Sequence, residues 1–241
     1  MLTEQELDRR IEDLCDHFAS YVTLTNNTYR FDSPARHFHI RAIGRLASAK
    51  SVDEVLNDEL FYDYLYATLV SWGMTGRGAK LVGFTEFSDS IKNSRHDIVE
   101  LSGYSLGQLA EMGDADSKVY FNELVRLICQ IFPKVSISAT ESKLVANSKA
   151  LHHILPNLIP PVDRNYTLRF FYDNKRVKRG DACISQFLDV LSYFEQIYIV
   201  VGEEVEELVQ THSFNSSVTK VIDNAIIGYC RRNLLGPKGS Q

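Results

Sequence analysis

Lys143, Lys149 and Asp163 are the residues of this chain whose types and spacing invite chemistry. They share one stretch, Ser142-Lys143-Leu144-Val145-Ala146-Asn147-Ser148-Lys149-Ala150-Leu151-His152-His153-Ile154-Leu155-Pro156, which runs on to Asn157-Leu158-Ile159-Pro160-Pro161-Val162-Asp163-Arg164. A helix of small residues carries two lysines, and a proline-bounded turn then delivers an aspartate to the start of the next helix. Proline biases its predecessor away from helix, so Leu155 and 159–161 read as extended and Asp163 as an N-cap. Taken singly, an N-cap aspartate and lysines on a helix face are ordinary. Together they can do more. A fixed carboxylate stabilises positive charge developing beside it or activates a nucleophile. A lysine whose pKa is lowered by burial is itself a nucleophile that forms Schiff bases. Lys149 lies six positions after Lys143, about 600° of helix rotation, so the two lysines cannot face one cleft equally. The spacing to the Pro161-Val162-Asp163 turn favours Lys143, with Lys149 second.

Three further segments qualify as partners of that stretch. Trp72-Gly73-Met74-Thr75-Gly76-Arg77-Gly78 is glycine-rich but matches neither a Walker loop nor a dinucleotide fingerprint after a strand. Asn174-Lys175-Arg176-Val177-Lys178-Arg179-Gly180 packs four cations into five positions directly after the aspartate helix. It reads either as a solvated loop or as an edge that contacts phosphate. His152 and His153 adjoin the lysine helix without further ligands at helical spacing. His152 therefore reads as a packed or capping histidine, and neither a metal nor any other cofactor is expected.

The lysine segment and the Pro161-Val162-Asp163-Arg164 turn resemble the helix-hairpin-helix DNA glycosylases. In that family the second helix of a hairpin begins near a lysine, and about 20 residues later a Pro-Val-Asp turn points its aspartate into a base-excision pocket. The second lysine, Lys149, and Arg164 after the aspartate are most similar to the archaeal 8-oxoguanine glycosylase branch. The match spans roughly 122–172. The family's Gly-apolar-Gly hairpin reads Ser136-Ile137-Ser138-Ala139-Thr140-Glu141 here, so Ser138 and Thr140 would offer hydroxyls where the family offers backbone amides. The absent cysteine cluster excludes the iron–sulfur subgroup. The resemblance implies catalysis by Asp163 with Lys143 or Lys149. It implies DNA contacts by Trp72, Met74, Arg77, Ser138, Thr140, Arg164, Lys175, Arg176, Lys178 and Arg179. Trp72 and Met74 would wedge into the gap left by a flipped base, and Arg77 would grip phosphate.

The elements that must position these groups are helical. Thr3-Glu4-Gln5-Glu6 and Ser51-Val52-Asp53-Glu54 read as capping boxes, and Ser33-Pro34 opens a helix running to about Ala47. An aromatic helix over 59–71 is apolar nearly all round and should lie deep. Further helices are expected over 84–92, 97–102, 117–131, 142–155, 164–172, 184–201, 203–212 and 216–230. Only Tyr198-Ile199-Val200-Val201 could be a strand, and it fits a helix end equally well. The expected class is all-α: one two-lobed domain over 1–235 with a degenerate hairpin and a DNA-binding cleft, followed by a flexible tail over 236–241. The 12 Tyr, 13 Phe and one Trp among 241 residues suffice for a sizeable core, which excludes general disorder. No run of 18 apolar residues exists, and the acidic N-terminus does not read as a secretory signal. Cys15, Cys129, Cys183 and Cys230 have no paired spacing and read as buried thiols in a reducing cytoplasm.

Net charge is −5, so any nucleic-acid contact must be a local basic patch in an otherwise acidic protein. The leading expectation is a cytoplasmic, monomeric DNA glycosylase acting on double-stranded DNA that carries a damaged or modified base. By analogy with bacterial relatives of that family, a role in antiviral defence against phages with modified DNA is open beside repair. The alternatives are a non-catalytic nucleic-acid-binding or regulatory helical domain, and a helical interaction protein in which Asp163 is only a cap.

Overall fold

A computed structural model describes residues 2–28, 34–76, 79–111, 114–140 and 143–235. Among them the chain is all-helical, with a single isolated antiparallel bridge, Leu81 to Ser138, in place of strands. Ser33, Arg77 and the tail over 236–241 lie outside the described residues.

The N-terminal helices are α1 (Glu4–Asp16), α2 (Phe18–Thr28), α3 (Pro34–Ser48), α4 (Val52–Val55) and α5 (Glu59–Ser71). The capping box at Thr3 forms in both directions, Glu6 N–H to the Thr3 hydroxyl at 3.3 Å and Thr3 N–H to the Glu6 carboxylate at 2.8 Å. The aromatic helix α5 is deep as expected, with Phe61, Tyr62, Leu65 and Leu69 fully buried. The middle of the chain forms α6 (Phe84–Asn93), α7 (Arg95–Leu101), α8 (Leu106–Glu111), α9 (Asp114–Lys134) and α10 (Leu144–Ile154). The last third forms α11 (Thr167–Tyr172), α12 (Asp181–Leu208) and α13 (Val218–Tyr229), closed by a π-turn over Cys230–Leu234. No helix among the described residues is long and apolar enough to cross a membrane.

Two packing features fix the frame around the chemistry-bearing stretch. Helix α13, buried along its whole length, lies directly on α2. A Cβ at Gly228 would stand 2.1 Å from the Tyr21 carbonyl, so only glycine lets the two backbones approach this closely. The turn from α9 into α10 is tied at both ends. Buried Asn147 donates to the Phe132 and Val135 carbonyls at 2.9 Å each, satisfying acceptors that the end of α9 leaves open. The turn also pairs with the segment after α5, through Val82 N–H to Ile137 O at 3.1 Å and Ala139 N–H to Lys80 O at 2.9 Å.

Several expectations need correcting. Helix α2 was not foreseen, because its Thr- and Asn-rich sequence has weak propensity and forms against α13. Helix α8 was likewise missed. The two helices expected over 184–201 and 203–212 do meet at a kink, at Val201 (φ −121°, ψ 21°) within α12; the second stops at Leu208 rather than at 212, and Tyr198–Val201 is not a strand. Cys129 is exposed on α9 rather than buried.

Candidate active site

Asp163 emerges from a turn whose prolines are buried and whose backbone is fastened to α10. Val162 N–H reaches the Ser148 hydroxyl at 3.2 Å, and Asp163 N–H reaches the Thr167 hydroxyl at 2.9 Å. One carboxylate oxygen, Oδ1, accepts the Asn165 N–H at 2.7 Å, closing a turn over 164–166 that feeds α11. The helix itself starts at Thr167, three residues later than expected, with Tyr166 rather than Asp163 at its N-cap, because Asp163 first organises this turn. The other oxygen, Oδ2, stands 3.2 Å from the Lys149 ammonium. Burial raises the Asp163 pKa, but Lys149 and the N–H groups of Asn165 and Tyr166 outweigh it, leaving the carboxyl below its ordinary value. The Lys149 and Asp163 side chains remain 16% and 28% exposed, so a substrate can reach the pair.

The lysine found with Asp163 is therefore Lys149. Lys143, the residue the spacing favoured, sits at the N-cap of α10 and points toward the Pro133 carbonyl at 3.5 Å, lining neither cavity described below. The physical reason is the rotation around α10: once Lys149 faces the turn, Lys143 is carried toward the end of α9.

Trp72, which ends α5, covers the pair. The Lys149 ammonium lies 5.3 Å from its ring centroid, a cation–π distance, and His153 and His39 contact the indole at 5.3 and 5.9 Å between ring centroids. These histidines form a chain. His153 donates from Nδ1 to the Lys149 carbonyl at 2.8 Å, and its Nε2 meets His39 Nδ1 at 3.0 Å. Burial lowers the pKa of both rings, to about 4 for His153, and Lys149 and Lys220 push His153 the same way. Both are neutral near pH 7, and the chain braces the backbone that carries Lys149.

Two cavities meet at Trp72, Lys149, Asp163 and Asn165. The smaller, about 410 Å³, runs inward past Trp72, Tyr166 and Phe214 to His39, His152, Lys220 and Asp223. That volume is in the range of small-ligand pockets. The larger, about 1430 Å³, is a groove lined by Met74, Arg164, Arg176, Lys178 and Arg179 among others. Buried Gln186 clamps its basic strip, accepting from Lys178 N–H at 2.9 Å and donating to the Arg176 carbonyl at 3.1 Å. Arg164 Nε donates to the Lys175 carbonyl at 2.9 Å, holding the strip against the Asp163 turn.

The remaining candidates separate. Met74 is 4% exposed and packs into the core beneath the groove, which leaves it no projection to act as a wedge. Ser138 is buried, its hydroxyl donating to the Ala79 carbonyl and meeting Thr140 Oγ1 at 2.8 Å, so both hydroxyls are engaged within the turn. Lys175 is exposed beside the strip without lining the groove. His152 is buried as expected of a packed histidine, its Nδ1 2.9 Å from the Ile159 carbonyl.

No family model, no curated protein and no solved structure matches this chain. Its chemistry therefore rests on its own geometry. Sequence reasoning missed the floor of the smaller cavity. His39 gave no local signal. Lys220 and Asp223 did leave one, as an i, i+3 charged pair in the otherwise apolar Val218–Tyr229 helix, where buried charge must be compensated. Among the described residues no group of three His, Cys, Asp or Glu is arranged to hold a metal ion.

Proposed function

We propose that this protein is a DNA glycosylase of helix-hairpin-helix type, in which α9, the segment over 135–140 that follows it and α10 correspond to a degenerate hairpin. The observation that carries the reading is the Lys149–Asp163 pair, 3.2 Å apart, where a basic groove opens into an aromatic-walled cavity. The groove follows a phosphate backbone with Arg164, Arg176, Lys178 and Arg179, contacts that position without reading sequence. A nucleotide flipped out of the duplex places its base in the cavity and its sugar at the rim, beside Asp163.

The chemistry follows from that placement. Breaking the C1′–N bond sends its electron pair to the base and leaves positive charge on the sugar, which the fixed Asp163 carboxylate stabilises. The Lys149 ammonium gives a proton to the departing base nitrogen and becomes a free amine. That amine attacks C1′ to give an aminal; Asp163 takes a proton from the nitrogen and returns one to O4′ as the C1′–O4′ bond breaks, so the opened sugar is left as a Schiff base on Lys149. Alternatively water attacks and Asp163 takes its proton, leaving an abasic site without strand cleavage. Trp72, at the junction, serves as a stacking wall rather than an intercalating wedge.

The test is incubation of the protein with duplexes bearing single damaged or modified bases, and with modified phage DNAs, followed by alkaline cleavage at abasic sites. Strand breaks at one class of base, dependent on the protein, are expected. Their absence across the panel, with salt-dependent DNA binding retained, would favour a non-catalytic nucleic-acid-binding domain. The panel also decides between repair and phage defence.

A further inference from the structure

The floor of the smaller cavity contains polar atoms that the fold leaves unsatisfied. His152 is 1% exposed, and its Nδ1 lies 2.9 Å from the Ile159 carbonyl and 3.1 Å from the Thr219 hydroxyl, which donates its own hydrogen to the Pro156 carbonyl at 2.8 Å. A carbonyl only accepts, so Nδ1 carries the hydrogen and Nε2 presents a bare lone pair. That Nε2 has no hydrogen-bond partner. Asp223 is 4% exposed; Lys220 engages its Oδ2, and its Oδ1 has no partner either. His39 follows the same logic. His153 Nδ1 donates to the Lys149 carbonyl, so His153 Nε2 is an acceptor and His39 Nδ1 must be the donor to it. The His39 Nε2 is thereby left as another lone pair. Burial keeps these imidazoles in the neutral form on which this assignment depends.

His39, His152 and Asp223 all line the one cavity. Leaving a buried acceptor unpaired is costly, and native interiors do so rarely, so such atoms ask for a partner. The partner they fit supplies hydrogen-bond donors. On the opposite sign, Arg36 Nε is also buried without a partner and lines the same cavity, offering one donor of its own.

We propose that this cavity selects a base bearing an exocyclic amino group, whose N–H donors meet His152 Nε2 and Asp223 Oδ1 while a ring acceptor of the base meets Arg36. The selection excludes bases that present a carbonyl at that position, because a carbonyl oxygen facing the Asp223 carboxylate and the His152 lone pair satisfies neither and repels both. Such a site discriminates by leaving its own buried groups unpaired with the wrong ligand. This assignment rests on reading the cavity as the seat of a flipped base, and it concerns which base is accepted rather than how it is cut.

Matched free bases test it without any catalytic step. Cytosine against uracil, and adenine against hypoxanthine, each exchange an amino group for an oxo group on the same ring. Binding to the intact protein is followed by calorimetry and by the ¹⁵N shift of the His152 imidazole. The amino member of at least one pair should bind about tenfold tighter or more, as one charge-assisted or buried hydrogen bond predicts. It should also move the His152 Nε2 signal. His152→Leu should abolish the preference, and His152→Gln, which retains an acceptor, should restore part of it at matched melting temperature. Equal or tighter binding of the oxo members, no binding of any base, or a preference that survives His152→Leu and Asp223→Leu would each overturn the proposal. Amino selectivity without abasic-site formation on any DNA would keep this inference and refute the glycosylase. Base excision without amino selectivity would do the reverse.

Discussion

Lowering the pH from 7 to 4.5 should destabilise this protein through its buried histidines. His153 has its pKa depressed to about 4 by burial, against an ordinary value of 6.5. A base with a depressed folded pKa contributes stability that is present above the unfolded value and lost as pH falls toward the folded one. Between pH 6.5 and 4.5 the unfolded ring takes up a proton that the folded ring refuses. The loss from His153 alone is about 2.5 kcal/mol at pH 4.5. His39 and His152 are depressed for the same reason, burial first, and add to the loss. Lys149 and Lys220 face this cluster and hold it neutral; Asp223, whose pKa burial raises, contributes with the opposite slope. Urea unfolding at intervals from pH 7.5 to 4.5 measures the sum. His153→Gln isolates one ring, and its stability should fall less steeply than wild type, by up to about 1.4 kcal/mol per pH unit. Identical slopes in variant and wild type would refute the reasoning, since they would mean that His153 is protonated equally in both states.

Other expectations follow from the same geometry. Gly228→Ala should destabilise the fold by about 3 kcal/mol, roughly 10 °C in melting temperature, because the added Cβ must push α13 off the Tyr21 backbone. An unchanged melting temperature would show that the helices are not this close. Neutralising Arg176, Lys178 and Arg179 together should flatten the slope of log affinity for DNA against log salt by up to ~0.9 per lost phosphate contact. An unchanged slope would return the strip to the class of solvated loops. Trp72→Ala should weaken binding to a duplex carrying a susceptible base by about 1–3 kcal/mol, the scale of base–aromatic stacking. Titration with a fluorescent duplex at constant salt measures the loss.

Much of the frame was legible because it is local. Capping boxes at Thr3 and Ser51, the aromatic run of α5 and the prolines before Asp163 each fix their own neighbourhood, and the sequence reading of an all-helical chain follows from them. The break at Val201, beside Gly202, was visible as the place where two helices meet. Helix α2 was not legible, since its stability comes from α13, nearly 200 residues away. The same limit applied to the site. Asp163 and two lysines could be named from spacing, but which lysine meets the carboxylate depends on how α10 is rotated, and Asn147 and Ser148 fix that rotation through long-range bonds. His39 reaches the site across 114 positions through His153, which no local pattern announces.

The central claim is that Lys149 and Asp163 perform the bond cleavage, and Asp163→Asn tests it most directly. Asparagine keeps an acceptor for the Asn165 N–H, so the turn over 164–166 is retained; loss of the ion pair to part-buried Lys149 lowers the melting temperature, and the rates are compared where both proteins are folded. The amide cannot stabilise a sugar cation as a carboxylate does. Single-turnover release of a base from a susceptible duplex should therefore fall by several orders of magnitude, and borohydride trapping, where wild type traps, should fix DNA to Lys149 and not to Lys143. Equal rates of base release by Asp163→Asn and wild type, with both folded, would contradict the account and leave Asp163 as a residue that only organises the turn before α11.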